Sequence, residues 1–126
     1  MALPTEWTVG DRLVTAQDIK DLAITAFEGG GCNHWAAIRY ETNARWYNLY
    51  TGSLGERVGL ALLGDHTIYL EDREDSETTF ELTIQKMVKG IEGYYQSGRN
   101  YTFEEMDAKD TDIIVQLGVH NEIVYG

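Results

Sequence analysis

Apolar residues recur with helical spacing in three stretches of the chain and alternate with polar ones in several others. Ile19, Leu22, Ala23, Ala26 and Phe27 make one face of a first helix. Thr15 is placed to cap it, and Asp18 to answer from the third position. Gly29, Gly30 and Gly31 then stop it, because glycine takes the left-handed cap conformation without a Cβ penalty. Helical spacing returns at Ile84, Met87, Val88, Ile91 and Tyr95, behind Thr83 as cap and ahead of Gly98. Gly90 and Gly93 each cost that helix about 1 kcal/mol relative to alanine, which predicts close packing against another backbone. A third helix opens at Asp107 with Asp110 behind it, turns Ile113, Ile114 and Leu117 to the core, and stops at Gly118.

Between the helices the pattern is that of strands. Trp35, Ala36, Ala37, Ile38 and Tyr40 predict a strand over 33–41, and the polar stretch 41–44 a turn. Residues 45–50, dense in aromatics, suit a second strand and a hairpin partner for the first. Residues 56–63 fit both periods and are read as a short helix after the break at 51–55. Alternation in 66–70 and 77–82 predicts a second hairpin with an acidic tip at 71–76. Residues 1–11, with Pro4, read as an irregular lead-in in which Trp7 tucks against the core, followed by a very short strand at 12–14. Residues 99–106 read as an extended linker anchored by Tyr101 and Phe103. A terminal strand at 123–125 is free either to finish the protein's own sheet or to join that of a second copy as a homodimer. The sum is an α+β fold: one antiparallel sheet of four to six strands with two to three helices packed on one face, in a single domain over 1–126.

Charge changes this picture. Twenty-one acids against ten bases give a net charge of −11 over 126 residues, with an isoelectric point near 4.5. Such a surface repels nucleic acid and anionic membranes and attracts basic proteins. No apolar run approaches the roughly 18 residues that span a bilayer. The first residues carry neither a basic region nor an apolar core, so a cytoplasmic location is expected. Cys32, the single cysteine, precludes an intrachain disulfide.

Catalytic and metal chemistry find little footing. Cys32 follows a helix C-terminus, where the dipole opposes a thiolate, and is read as a structural cysteine. His34, His66 and His120 lack the paired spacing of a metal site. Gly29–Gly31 precede a strand rather than a helix, unlike a phosphate cradle. The chain is therefore expected to be no enzyme and to need no cofactor. Its strongest signal is two acidic windows holding eleven of the acids: Glu71, Asp72, Glu74, Asp75, Glu77 and Glu81, then Glu104, Glu105, Asp107, Asp110 and Asp112. On one face they would rival the phosphates of duplex DNA, which carries a charge every ~1.7 Å of axis. Asp72, Glu74, Asp75, Glu77, Glu104, Glu105, Asp107, Asp110 and Asp112 are thus the expected partner-binding set. The alternative is a cationic, aromatic-lined pocket for a small nucleotide, built from Arg45, Trp46, Tyr47, Arg57 and Arg99, with Arg39, Tyr94, Tyr95 and Tyr101 nearby.

Three segments, in order, resemble a family of small acidic proteins of bacteriophages and prophages: 14–30 followed by the aromatic Trp35, then 80–91, then 110–114 with the ending 121–126. Three glycines at 29–31, where two are usual, depart from that pattern. The family has no settled activity, so the resemblance implies no catalytic residue. It implies a viral product acting in a bacterial cytoplasm, of the kind that antagonises CRISPR or restriction defence, sometimes by imitating DNA. The expected function is inhibition of a basic host defence protein through the acidic face. The alternative is sequestration of a small immune-signalling nucleotide.

Overall fold

The computed structural model describes residues 6–125 and has an α+β architecture. In chain order it runs β1 (Glu6–Val9), β2 (Arg12–Thr15), α1 (Ala16–Phe27), β3 (Ala36–Ala37), α2 (Tyr40–Tyr47), α3 (Leu54–Leu63), β4 (Ile68–Asp72), β5 (Thr79–Leu82), α4 (Ile84–Gln96) and α5 (Ala108–His120). The strands do not make the single sheet of four to six expected. They form a two-stranded hairpin, β1–β2, and a separate three-stranded antiparallel sheet in the order β3–β4–β5. Five helices, not two or three, carry most of the core, with α1 packed on α3 and α5, and α4 on α5.

Local signals explain where each helix starts. Thr15 and Asp18 form a reciprocal capping box on α1, and Ser53–Glu56 and Asp107–Asp110 do the same for α3 and α5. Thr83 caps α4 by accepting from Lys86 N–H. The Gly29–Gly31 stop is present, with Gly30 at φ +87° and Cys32 N–H returning to Ala26 O at 2.8 Å. Residues 56–63 are helical, as read.

Other expectations fail for physical reasons. Residues 40–47, divided above between strand, turn and a second strand, are one helix. Asn43 and Trp46, three apart, face inward, while Tyr40 and Arg45 face solvent. Asn43 Nδ2 donates to Tyr69 O at 3.0 Å and its Oδ1 accepts from Tyr69 N–H at 2.9 Å and Trp46 Nε1–H at 2.9 Å. That side chain therefore bonds the stretch of the central strand β4 that the two-residue β3 leaves uncovered. The predicted 33–41 strand shrinks to β3, paired Ala36 to Asp72 and Ala37 to Glu71. Gly118 does not end α5. The helix continues to His120, and Asn121 at φ +63° supplies the left-handed cap. Residues 123–125 form no strand. The lead-in is irregular in neither β1 nor β2, and its first five residues, with Pro4, lie outside those described. Trp7 does pack half-buried against the core.

Candidate functional site

The first acidic window is the turn of the β4–β5 hairpin, and its acids build that turn. Asp72 Oδ1 accepts from Glu74 N–H at 2.8 Å, and Asp75 accepts from Glu77 N–H at 3.1 Å and Thr78 Oγ1 at 2.6 Å. Tyr125 donates to Asp72 Oδ2 at 2.5 Å. That bond, with the Glu74 amide, holds the Asp72 carboxyl below its ordinary range. Glu74, Asp75 and Glu77 point into solvent.

The second window divides. Glu104, Glu105 and Asp107 are exposed. Glu105 accepts from Thr102 N–H and Oγ1 at 3.0 and 2.9 Å, and this lowers its pKa. The Asp110 amide bond to Asp107 does the same for the α5 cap. Asp110 and Asp112 are buried instead, so neither belongs to an acidic face. Asp110 accepts from Tyr94 Oη at 3.0 Å. Asp112 accepts from Trp35 Nε1 at 2.7 Å, His34 Nε2 at 2.9 Å and Gln116 Nε2 at 3.1 Å. Among the described residues no direct hydrogen bond or ion pair joins the two windows; Asp72 and Asp112 are connected indirectly, through Tyr125 and Gln116.

Asp112 anchors a network that sequence reasoning missed. Gln116 Oε1 accepts from the amides of Val124 and Tyr125, both at 2.8 Å, and its Nε2 donates to Tyr125 O at 3.1 Å. Tyr125 stacks on Trp35 with centroids 4.6 Å apart and planes at 6°. His120 meets Phe80 edge-on at 4.6 Å. Burial depresses the His120 pKa, and its enclosed Nε2 has no hydrogen-bond partner among the described residues. The signal available in the sequence was an acid and an amide, Asp112 and Gln116, set in the apolar run of α5, with a tryptophan whose buried N–H needs an acceptor. Cys32 is fully buried; burial and then the Asp112 charge push its thiol pKa strongly upward. This Cys–His neighbourhood holds no activated nucleophile.

The residues of the nucleotide alternative fall in three places: Arg45 and Trp46 share one cleft, Tyr47 and Arg57 stack on each other, and Arg99 stands apart from both. Trp46 is buried on Asn43. Arg57 stacks over Tyr47 at 4.1 Å and donates to Tyr47 O and Gly52 O. Arg45 lines a cleft with His66 and Tyr69, and Arg39 pairs with Glu71 at 2.5 Å. Arg99 alone stands at a larger opening of about 750 Å³, between the end of α4, the 97–107 segment and α5. It meets there the second acidic window, with Tyr94, Tyr101 and Lys109. No helix among the described residues is long and apolar enough to cross a membrane, and no group of three or more His, Cys, Asp or Glu is placed to hold a metal ion.

Fold and surface define an α+β protein with an internally bonded acid network and a separate set of solvent-facing carboxylates. No family model, curated protein or solved structure matches the chain.

Proposed function

We propose that this protein is a non-enzymatic, phage-encoded inhibitor that acts in the bacterial cytoplasm and binds the basic nucleic-acid-handling surface of a host defence protein of the CRISPR or restriction type. One observation carries the reading: the exposed acids have no cationic partners of their own. Among the described residues the ion pairs are Arg39–Glu71 and His34–Asp112, and neither uses Glu74, Asp75, Glu77, Glu104, Glu105 or Asp107. Unneutralised charge of one sign favours association with the opposite sign and steers the encounter. The resemblance to phage proteins supports the class of partner.

The test is capture of host proteins by the immobilised protein at low salt and at roughly 0.5 M salt, where the Debye length falls to about 4 Å. A captured DNA- or RNA-guided nuclease, or another basic defence protein, should be lost at high salt. It should also be lost from a Glu74→Lys, Glu77→Lys variant, whose exposed side chains, unlike that of Asp75, hold no hydrogen bond of the turn among the described residues. A partner held equally at both salt concentrations and by that variant would overturn the proposal.

A further inference from the structure

We propose that the cleft between the end of α4, the 97–107 segment and α5 is a binding site for a ribonucleotide of low charge, with a 3′,5′-cyclic mononucleotide as the best fit. The proposal stands independently of the acidic-surface reading. At about 750 Å³ the opening has the size of small-molecule sites. Its lining supplies each kind of contact such a ligand needs.

Tyr101 offers the stacking platform. The residue is 54% exposed, while its carbonyl is fixed by Tyr95 Oη at 2.7 Å, so the side chain is carried on an anchored backbone. Ile113 and the edge of buried Tyr94 make an apolar floor. Arg99 is steadied by Ser97, to whose Oγ it donates at 2.7 Å through one nitrogen, with its guanidinium 6.0 Å from the Tyr94 ring centre. Its other guanidinium nitrogens make no hydrogen bond among the described residues, which leaves donors for a phosphate. Lys109 adds a second cation, and neither forms an ion pair among the described residues.

The carboxylates set the class of ligand. Asp110 is committed to Tyr94 Oη and the Asp107 amide. Glu105 meets Thr102 through Oε1 only, which leaves Oε2 to accept a ribose hydroxyl, a common use of an acid in nucleotide sites. Two cations beside Glu105, Asp107 and Asp110 cannot neutralise a triphosphate, in a chain whose net charge is already −11. A phosphodiester carrying one charge suits them.

The experiment is calorimetric titration of the whole protein with the four 3′,5′-cyclic mononucleotides, AMP, ATP and 2′-deoxy cyclic AMP. At least one cyclic ribonucleotide should bind, more tightly than its monophosphate and far more tightly than a triphosphate, and its deoxy form should bind less well. Tyr101→Ala should weaken binding by about tenfold or more, the worth of one stacked base. Arg99→Ala should weaken it similarly, and Arg45→Ala, in a different cleft, should leave it unchanged. No heat with any nucleotide at about 1 mM, the threshold of weak binding, would overturn the proposal. So would affinity indifferent to Tyr101 and Arg99, or a preference for ATP. Because the Glu74 and Glu77 reversals lie outside this cleft, failure here and failure of partner capture are separate results.

Discussion

Two glycines of α4, three residues apart, should respond to the same substitution with opposite sign. An exposed helical glycine replaced by alanine ordinarily gains about 1 kcal/mol. A Cβ on Gly93 meets only the Leu117 side chain, at 3.4 Å or more, which is ordinary contact. Gly93→Ala should therefore stabilise by up to ~1 kcal/mol. A Cβ on Gly90 runs into the carbonyl oxygen of Ile114 and lies 3.0 Å from Gly118 N; Gly118 faces the Lys86 carbonyl in the same way. Backbone inside α5 cannot rotate aside, so the two helices must part. A gap of 0.5–1 Å forfeits about a quarter to a half of each dispersion contact, and Met87, Ile91 and Ile114 sit fully buried beside this crossing. Overpacking of that kind costs about 3 kcal/mol at the upper end of its usual range. Less the propensity gain of about 1 kcal/mol, Gly90→Ala should lose about 2 kcal/mol. That is roughly a thirtyfold smaller folding constant. Urea unfolding followed by tryptophan fluorescence measures both variants, since Trp35 and Trp46 are buried reporters. A Gly90→Ala protein as stable as Gly93→Ala would refute the backbone-contact argument.

Three further outcomes follow from the Asp112 network and its surroundings. Asp112→Ala leaves the buried Trp35 Nε1–H without its acceptor and should cost about 2–3 kcal/mol, whereas Asp112→Asn keeps an acceptor oxygen and should cost less; chemical denaturation compares them. Cys32 should resist thiol reagents in the native protein and react at once in denaturant, because its buried thiol is held protonated; a native reaction at the denatured rate would contradict the burial. Tyr125→Phe keeps the stack on Trp35 but removes the hydroxyl bond to Asp72. The lowered Asp72 pKa gives stability that is present above the ordinary carboxylate range and lost as pH falls through the folded value. Burial first, and then that same bond, push Tyr125 up to about 12, so its share is present below its ordinary value of 10 and lost between the two as pH rises. The stability difference between the native protein and Tyr125→Phe should be flat in mid-range pH and shrink at both ends; a difference independent of pH would refute the assignment.

The helices framed by side-chain caps were legible because the signal is local. Thr15 with Asp18 and Asp107 with Asp110 each bond within four residues, whereas the equivalent Ser53–Glu56 box was passed over in the break read at 51–55. Gly90 was legible too, its cost in propensity pointing to the backbone contact that α5 supplies. Residues 40–47 were not. Their aromatic density has the composition of a strand, and only the tertiary bonds of Asn43 to Tyr69 and Trp46 make the helix the better solution. Gly118 misled for the same reason as Gly90 guided: glycine in α5 serves the crossing with α4, not a stop. The sheet was over-counted because Trp46 is spent on helix packing and Tyr125 on the stack with Trp35, while Leu49, Ile123 and Val124 stay exposed.

The acidic windows show why charge density in a sequence mixes two populations. Asp110 and Asp112 face inward because Tyr94, Trp35 and His34 supply donors that a buried carboxylate requires, and those donors lie between 16 and 78 residues away along the chain. No count over a short window can see them. Glu74, Asp75, Glu77 and Glu104 gain no such donors from another element and stay in water. Charge removed from the first population should therefore appear as lost stability. Charge reversed at Glu74, Glu77 or Glu104 should appear only in association and fade as salt rises, whereas Asp75 also holds the hairpin turn through Glu77 N–H and Thr78 Oγ1. Mutating the windows as blocks would merge the two effects, with an unfolded variant counted as a failure to bind. Residue-by-residue substitution on the hairpin tip is the form of the experiment in which loss of a partner can be read as loss of an electrostatic surface.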